Sequence, residues 1–445
     1  MFQSKNTVKI LLGLLIFPLI LGLILQGTYR DVSTGSKNRI EIHFWNAMSG
    51  TTGVALNQLI ADYNQSQDKY TVINDYEGAY GDTLSKYLSV SGTASSPDLV
   101  QVYDIGTQIM RNSKQYLPVQ TMMNKDNYDK STLEPRIADY YSLNGAQQSM
   151  PFNTSTPVMY YNKDLLASVG ITKMPETYED ITALGQKLLQ GDSKAKAVGE
   201  YVYGWIFEEM VANQGQLLIN GTNGQQGIPT QSLANGAAGQ AFMNWCQQMI
   251  KAKTAINYGT NGDVLTSAFL QGDVAIMFNS SASSSQIINQ AKFNVGIGYM
   301  PHPANTERAG VTIGGASLYL ANKRPADKTA GAWDFMKFAS SPAEQAKWAV
   351  GTGYFPVNVN AYQQPILVAA YQKYPQMQVA VAQLQQSKKI PADSGFFSDT
   401  NTMARQTLET AMGQIYNGAD VQTSLDKAAD TITKALVLSK QAQGK

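Results

Sequence analysis

The order of apolar and polar residues after residue 38 predicts strands and helices that alternate along the chain. Ile40, Ile42 and Phe44 alternate with more polar neighbours, as in a strand with one buried face. Residues 55–63 place apolar side chains three and four positions apart, which is the spacing of an amphipathic helix. The same reasoning predicts strands at residues 70–73 and 99–103 and a helix at 84–90. This alternation predicts largely parallel sheets with helices on both faces.

Two further helix starts are indicated by capping residues. Thr177 and Ser341 are each followed three positions later by an acidic residue, Asp180 and Glu344 respectively. In this pattern the hydroxyl caps the helix and the acidic side chain returns to the backbone N–H of the capping residue. The roughly 405 residues that follow the N-terminal apolar segment are too many for one sheet, so two α/β lobes are predicted.

The N-terminus carries the pattern of an export segment. Lys5 and Lys9 precede residues 10–25, which are sixteen residues without a charge. A full membrane span needs roughly 20 residues, but no A-x-A-like cleavage motif stands near Gln26 and no cysteine offers a site for lipid attachment. An uncleaved signal or membrane anchor over residues 1–35 is therefore favoured over a cleaved signal. The lysines before the apolar segment predict that the rest of the chain lies outside the cytoplasm.

Composition narrows the possible chemistry. Charged residues make up 15% of the chain, aromatic residues 10%, and the formal net charge is +1. These values exclude a charge-rich disordered chain and leave no drive for generic nucleic-acid binding. With two His and one Cys, the chain cannot build a His/Cys zinc cluster or an intramolecular disulfide. The lone Cys246 is interpreted as a small core residue of a helix, and no metal or cofactor is expected.

Sequence motifs of catalysis are nearly absent. No G-x-S-x-G, Walker, H-E-x-x-H or C-x-x-C motif occurs. Glu208 and Glu209 could serve glycoside hydrolysis, but neighbouring helix positions point about 100° apart, so one of the two is expected in solvent. His43 is interpreted as a satisfied hydrogen-bond partner on its strand and His302 as part of an exposed turn. The chain is therefore predicted not to be an enzyme.

Aromatic and small polar residues recur at the ends of the predicted strands. They are Trp45, Tyr80, Tyr103–Asp104, 153–155, 203–205, 279–281, 314–317 and Gly353–Tyr354. Ligands of open α/β sheets bind outside the carboxyl ends of strands. Aromatic faces, hydroxyls and backbone N–H groups at that position are typical of a site for a small polar ligand.

Four segments of the chain resemble a known family of transport proteins. The segments are residues 99–107 (LVQVYDIGT), 151–163 (PFNTSTPVMYYNK), 313–318 (IGGASL) and 352–357 (TGYFPV). They resemble the extracytoplasmic glycerol-3-phosphate-binding proteins of Ugp-type ABC importers, which belong to the same class as maltodextrin-binding proteins. The likeness runs from about residue 44 to 436. It implies a two-lobed α/β periplasmic-binding-protein (Venus flytrap) fold with mixed, mostly parallel sheets. It also implies a monomer that closes on its ligand and delivers it to permease subunits and their ATPase.

The resemblance also implies a division into lobes. Residues 38–150 with 292–345 are expected to form the first lobe, and 155–290 with 350–445 the second. Residues 151–157 are a candidate hinge, because a few residues that cross between lobes can absorb the change on closure.

Site residues follow from the resemblance only where its motifs align. In the family, an aromatic residue at the position of Tyr80 contacts the glycerol or the phosphate, and a Glu at the position of Asp104 accepts hydrogen bonds from the glycerol hydroxyls. Trp205 matches the second of two cleft tryptophans, and the first is Val202 here. The residues that match donors to the ligand, chiefly to its phosphate, are Ser155, Ser280, the Gly315 amide and Tyr354.

One departure from the family pattern leaves two ligand classes open. The phosphate-binding Arg of the family falls on Phe397, and Arg405 lies on a predicted helix where a structural role is favoured. If hydroxyls and backbone amides suffice to bind a phosphate without that Arg, the ligand is glycerol-3-phosphate or a glycerophosphodiester. If Phe397 forms an apolar wall, a neutral saccharide or polyol fits better. A glycoside-processing enzyme and a purely structural surface protein are the less favoured alternatives.

Overall fold

The computed structural model of the chain describes residues 39–444, which form two α/β lobes, each around one sheet. The strands of the first sheet are Ile40–Asn46, Tyr70–Tyr76, Leu99–Tyr103, Tyr116–Leu117, Met150–Ser155 and Gly314–Ala321. The strands of the second sheet are Pro157–Asn162, Lys196–Glu200, Ala255–Asn257, Val274–Ser280 and Val295–Gly298. Ser142–Leu143 and Ala146–Gln147 form a separate short hairpin.

Helices connect and cover these strands. Those of the first lobe are Gly50–Ser66, Tyr80–Val90, Thr107–Ser113, Val119–Asp126, Pro135–Tyr140, Ala326–Ala339, Pro342–Thr352 and Pro365–Lys373. Those of the second lobe are Lys163–Ser168, Tyr178–Gln190, Gly204–Asn213, Asn220–Asn223, Ala237–Lys251, Gly262–Gln271, Ser284–Gln290, Val379–Gln385, Asn401–Tyr416 and Val421–Ala442. Short 3₁₀ turns occupy Asp104–Gly106, Lys130–Thr132, Ser281–Ser283, Val359–Gln363, Pro375–Gln378 and Pro391–Ser394.

The first strand shows how the apolar pattern sets the core of the first lobe. Ile42 and Phe44 are fully buried while Glu41 is exposed, as the alternation predicts. The helix that follows turns Tyr63 inward, and its ring meets Phe335 edge-on with centroids 5.1 Å apart. Strand and helix therefore bury their apolar faces against the same interior.

Both sheets are mixed, as expected, but they are not mostly parallel. Their strands make four parallel and five antiparallel pairings. The antiparallel pairings all involve Pro157–Asn162 or Gly314–Ala321, by which the chain enters a sheet from the other lobe. A strand that arrives from the other lobe does not need the helical crossover that keeps neighbours parallel, so it can run in the opposite direction.

The chain crosses between the lobes within residues 151–157, the segment predicted as a hinge. Thr156 is the single residue between Met150–Ser155 of the first sheet and Pro157–Asn162 of the second. It is fully buried, and its N–H donates to Ser281 Oγ at 3.2 Å. The backbone at this crossing is therefore held by the second lobe as well as by the two strands.

Two predicted lobe boundaries differ from the observed sheets. Val295–Gly298 pairs with Pro157–Asn162, so the chain rejoins the first sheet only at Gly314 and not near residue 292. Helix Pro342–Thr352 packs on helix Gly50–Ser66 of the first lobe, and helix Pro365–Lys373 packs on Pro342–Thr352. The predicted boundary near residue 350 is therefore also too early. The boundaries could not be placed from periodicity because strands of either lobe have the same local pattern.

One of the two predicted capping boxes is present. Thr177 Oγ1 accepts from the N–H of Asp180 at 3.1 Å, and Asp180 Oδ2 accepts from the N–H of Thr177 at 3.0 Å. Ser341 is the N-cap residue of its helix, but its side chain makes no capping hydrogen bond. Glu344 instead pairs with Lys347 at 2.8 Å, so the second capping box is not formed.

Cys246 is a core residue, as predicted. It lies in helix Ala237–Lys251, is fully buried, and its Sγ donates to Glu200 Oε1 at 3.5 Å. His43 is also satisfied as predicted, since Nδ1 lies 2.9 Å from Asp75 Oδ2.

The predicted signal or anchor over residues 1–35 lies outside the described residues. Among residues 39–444, no helix combines the length and apolar character that a membrane crossing requires.

Candidate functional site

The seven predicted ligand residues lie at strand ends and helix starts around the crossing between the lobes. Tyr80 begins a helix, and Trp205 lies in the first turn of helix Gly204–Asn213. Ser155 and Ser280 are the last residues of their strands, and Gly315 is the second residue of strand Gly314–Ala321. Asp104 begins the turn after strand Leu99–Tyr103, and Tyr354 follows helix Pro342–Thr352. The sequence pattern of polar and aromatic residues at strand ends thus corresponds to one region of the molecule.

Aromatic and amide groups form an uncharged side of this region, here called the neutral wall (Tyr80, Asn153, Gly315 and Tyr354). The Tyr80 ring stacks on Tyr103 with centroids 5.4 Å apart and an interplanar angle of 4°. Asn153 Nδ2 donates to the Tyr80 hydroxyl at 3.0 Å. Burial raises the pKa of Tyr80 and of Tyr354, so both hydroxyls stay protonated and uncharged near neutral pH.

The backbone of the neutral wall is fixed by strand pairing. Gly315 pairs with Thr154 in antiparallel register and has a φ of 96°, in the region that favours glycine. A Cβ at Gly315 would lie 2.0 Å from the carbonyl oxygen of Asn153, so no other residue fits without a shift of the backbone. The close approach of the two strands therefore explains the glycine in the IGGASL segment.

Trp205 of the second lobe packs on the start of strand Gly314–Ala321 of the first sheet. A Cβ at Gly314 would lie 2.5 Å from Cζ2 of the indole, so the ring packs directly on the Gly314 backbone. The indole Nε1 is buried and has no hydrogen-bond partner among residues 39–444. A buried unpaired donor costs free energy, and a ligand oxygen would satisfy it.

Ser280 and its neighbours form the edge of the second lobe at the crossing. Ser280 Oγ accepts from the N–H of Ala282 at 3.2 Å and so caps the turn that follows the strand. A Cβ at Gly353 would lie 2.6 Å from the carbonyl oxygen of Ser281, so this turn abuts the segment that carries Tyr354. The Ser280 side chain therefore lies beside the crossing, with its oxygen engaged in a local cap.

Buried ionisable groups form a second side of the region, here called the charged wall (Asp104, Glu208, Glu209 and Arg405). Arg405 donates from Nε to Glu208 Oε1 at 2.9 Å and from Nη2 to Glu208 Oε2 at 2.5 Å. Its Nη2 also reaches Asp104 Oδ2 at 3.4 Å. Arg405 supports the structure as predicted, but it also joins the predicted ligand residue Asp104 to the second lobe.

Both members of the Glu208–Glu209 pair are buried, so the expectation that one lies in solvent is wrong. Glu209 is fully buried and accepts from Thr312 N–H at 2.8 Å and from Thr312 Oγ1 at 2.5 Å. Burial raises the pKa of Glu209 to about 8, and it also raises the pKa of Glu208, against the effect of Arg405. Helix Gly204–Asn213 is buried throughout because helices Ala237–Lys251 and Asn401–Tyr416 and the turn Pro391–Ser394 pack against it.

Phe397 lies in a different part of the interlobe space from the seven predicted residues. Its ring centroid is 5.2 Å from that of Tyr140 and 4.7 Å from the Arg111 guanidinium carbon. Tyr140 separates Phe397 from Asp104, because it lines both the small cavity that Asp104 borders and the large cleft that Phe397 borders. Val202 is buried two residues after the end of strand Lys196–Glu200.

The geometry defines a class of protein: two α/β lobes, joined by crossing strands, with polar and aromatic groups gathered where the lobes meet. A sequence model of the bacterial extracellular solute-binding proteins matches residues 58–379. The chain belongs to this family. It is the substrate-binding component of an ABC importer, it acts outside the cytoplasm, and it is not an enzyme.

Relatives with curated descriptions agree with the predicted resemblance. The sn-glycerol-3-phosphate-binding periplasmic protein UgpB of Yersinia enterocolitica is 32% identical over 399 residues, which cover 87% of this chain and 90% of that protein. The protein of the same description from Pectobacterium atrosepticum is 30% identical over 410 residues, with coverages of 90% and 92%. The resemblance inferred from the four sequence segments is thereby confirmed.

Solved structures show the same fold at lower identity. UgpB of Mycobacterium tuberculosis in complex with glycerophosphocholine superposes with a TM-score of 0.75 at 19% identity, covering 91% of this chain and 99% of that one. The GacH receptor of Streptomyces glaucescens, solved unliganded and with acarbose, also gives 0.75 at 16% identity, with coverages of 89% and 98%. These likenesses confirm the two-lobed fold.

Proposed function

We propose that the chain captures a glycerol-phosphate-type ligand between its lobes and delivers it to the permease and ATPase subunits of an importer. The observation that carries the proposal is the convergence of Tyr80, Ser155, Gly315 and Tyr354 around the crossing. Their hydroxyls and the Gly315 amide are neutral donors, and phosphate oxygens accept hydrogen bonds readily from such groups.

Within this class, the charges favour a glycerophosphodiester over glycerol-3-phosphate. Arg405 is shared by the carboxylates of Glu208 and Asp104, so the charged wall has no excess positive charge. A phosphate monoester carries a charge of about −1.5 to −2 near pH 7, whereas a diester carries one negative charge. The diester therefore needs less neutralisation by the protein.

A neutral saccharide is the second candidate ligand. Phe397, at the position of the family's phosphate-binding Arg, presents an aromatic ring beside Tyr140 and brings no positive charge. Aromatic faces with a few placed hydrogen-bonding groups suit sugar rings.

Lobe closure, the hinge and attachment to the membrane complete the proposal. Residues 151–157 absorb the closing motion, because Thr156 is the single residue between strands of different lobes. Ligand contacts on both lobes favour the closed state by their differential affinity. The chain works as a monomer, tethered to the outer face of the membrane through its N-terminal apolar segment.

Calorimetric titration of the purified full chain tests the proposal. The ligands are glycerol-3-phosphate, glycerophosphocholine and a panel of disaccharides. We expect binding of at least one phosphate compound, with the diester the tighter of the two. Binding of a disaccharide alone would replace the proposal by the second candidate.

A further inference from the structure

A chain of hydrogen-bonded amides links the core of the first lobe to the neutral wall. The Ala47 N–H donates to Gln101 Oε1 at 2.9 Å, and Gln101 Nε2 donates to Asn153 Oδ1 at 2.8 Å. Asn153 Nδ2 in turn donates to the Tyr80 hydroxyl at 3.0 Å. Gln101 and Asn153 are both fully buried. We call Ala47, Gln101, Asn153 and Tyr80 the amide relay.

The register of the first sheet brings the two side-chain amides together. Leu318 pairs with Gln101 and Ala316 pairs with Asn153, so the amides come from strands on opposite sides of Gly314–Ala321. Paired residues share a face of the sheet, as do residues two positions apart on one strand. Gln101 and Asn153 therefore meet on one face, although 52 residues separate them in the chain.

The backbone fixes the direction of every hydrogen bond in the amide relay. A backbone N–H only donates, an amide oxygen only accepts, and an amide NH₂ group only donates. The Ala47 N–H therefore requires the oxygen of Gln101, which leaves the NH₂ group of Gln101 for Asn153. The oxygen of Asn153 then faces Gln101, and its NH₂ group faces Tyr80. The phenol oxygen of Tyr80 is thus an acceptor towards Asn153.

This direction leaves one phenol proton of the neutral wall over. Burial raises the pKa of Tyr354, and hydrogen bonds with Asn153 and Tyr80 oppose that rise, so the two phenols and the amide lie together. The NH₂ group of Asn153 accepts no proton from either phenol. A hydrogen bond between the phenols uses at most one of their two protons, which leaves the other for an acceptor outside the amide relay.

We propose that Gln101 is a positioning residue that sets the polarity of the neutral wall, so that the wall offers a phenol O–H to a hydrogen-bond acceptor on the ligand. The inference rests on the proposed function, in which a phosphate oxygen is that acceptor. With the Asn153 amide reversed, its oxygen would face the phenols and accept the remaining proton. Gln101 therefore favours a ligand group rich in acceptors, although it acts through Asn153 and Tyr80.

Calorimetric titration of the full chain with glycerophosphocholine tests this role. Its phosphodiester keeps one negative charge throughout the pH range used. Gln101→Leu should weaken binding about fivefold, because Asn153 loses the contact that orients its amide. Leucine carries no charge, so repulsion of the phosphate cannot cause that loss.

Gln148→Leu is the matched control. Gln148 is also a buried glutamine of the first lobe, but it accepts from the Tyr116 hydroxyl at 2.7 Å and donates to the carbonyl oxygen of Ala146 at 2.7 Å. Its replacement removes two hydrogen bonds of similar kind away from the neutral wall. The affinity for glycerophosphocholine should stay within about twofold of that of the unmodified chain.

Gln101→Glu separates the orientation of Asn153 from packing. Burial favours the protonated carboxyl, which can donate to Asn153 as the amide does, whereas the ionised form only accepts and should reverse Asn153. Affinity should be about tenfold below that of the unmodified chain at pH 8 and within about twofold of it at pH 5. Both proteins are compared at the same pH, because Asp104 and Glu209 titrate in each of them.

Circular dichroism checks the fold, and the two pH values of Gln101→Glu decide the question if the leucine variant does not fold. Unchanged affinity in Gln101→Leu would overturn the inference, as would a loss in Gln101→Glu that persists at pH 5. If only glycerol-3-phosphate binds, the same comparisons are made with it. Failure of the unmodified chain to bind either phosphate compound would instead overturn the proposed function.

Discussion

The neutral wall and the charged wall border the same crossing between the lobes, but they are stabilised in different ways. The neutral wall is held by strand register and by Asn153, which donates to the Tyr80 hydroxyl, and none of its groups carries a charge. In the charged wall, Arg405 and Glu208 satisfy each other in a bidentate pair. Under the proposed function, the neutral wall supplies contacts to the ligand, while the charged wall sets which ligand charge is tolerated.

The largest effect is expected when the charged wall loses its cation. Arg405→Ala should lower the free energy of unfolding by about 3–5 kcal/mol, because two buried carboxylates lose their partner. Urea unfolding measures the change. The double variant with Glu208→Gln should lose less than Arg405→Ala alone, since one uncompensated charge is removed as well. Equal losses in the two variants would contradict a charge-pairing role.

Glu209 should make stability depend on pH. The folded state holds its proton up to a pKa of about 8, above the usual carboxyl value of 4.5, so the folded state binds more protons between these pH values. Stability should therefore fall as pH rises through that window, and Glu209→Gln should reduce the fall between pH 5 and 8 by about 3 kcal/mol. A glutamine suits the site because, like the protonated acid, it is uncharged and keeps an oxygen that accepts from Thr312 N–H.

Unfolding curves at pH 5, 6, 7 and 8 measure this effect. Glu176→Gln is the control, because Glu176 is exposed. Glu200, whose pKa burial raises to about 7, contributes a similar slope in both proteins and should leave the difference between them unchanged. An identical slope in Glu209→Gln and in the unmodified chain would mean that Glu209 is ionised in the folded state.

Asp104 is the member of the charged wall that belongs to the predicted ligand residues. Asp104→Ala should lower ligand affinity at least tenfold, because a hydrogen bond to a charged group contributes about 1.5–3 kcal/mol. Calorimetry with the best ligand of the panel measures the affinity, and circular dichroism checks the fold. Affinity close to that of the unmodified chain would remove Asp104 from the site.

The smallest effect is expected at Phe397. Phe397→Arg should improve binding of glycerol-3-phosphate about fivefold, because it restores a charge-assisted donor while Arg111 nearby opposes a second cation. Phe397→Leu is the control and should produce no gain. If the arginine variant gains nothing either, the position carried over from the family is wrong.

Local patterns predicted much of the fold, and contacts distant in sequence account for what was missed. Strand Ile40–Asn46 and the Thr177 cap follow from neighbours within a few residues, and both are present. Glu208 pairs with Arg405, which lies 197 residues later in the chain. No rule based on local spacing could therefore show that Glu208 and Glu209 are both buried. Tyr140, which borders the same small cavity as Asp104, was missed because a buried tyrosine in a short helix has no distinctive sequence signal.

The buried Cys246 has a practical consequence for observing the lobes move. Only the thiolate reacts with maleimides, and burial raises the pKa of this thiol while packing shields it. Since the chain has no other cysteine, a thiol introduced on the surface of each lobe would be labelled in preference to the native one. The natural sequence is therefore already suited to fluorescence energy transfer between a pair of dyes, in which ligand titration would appear as a change in inter-dye distance.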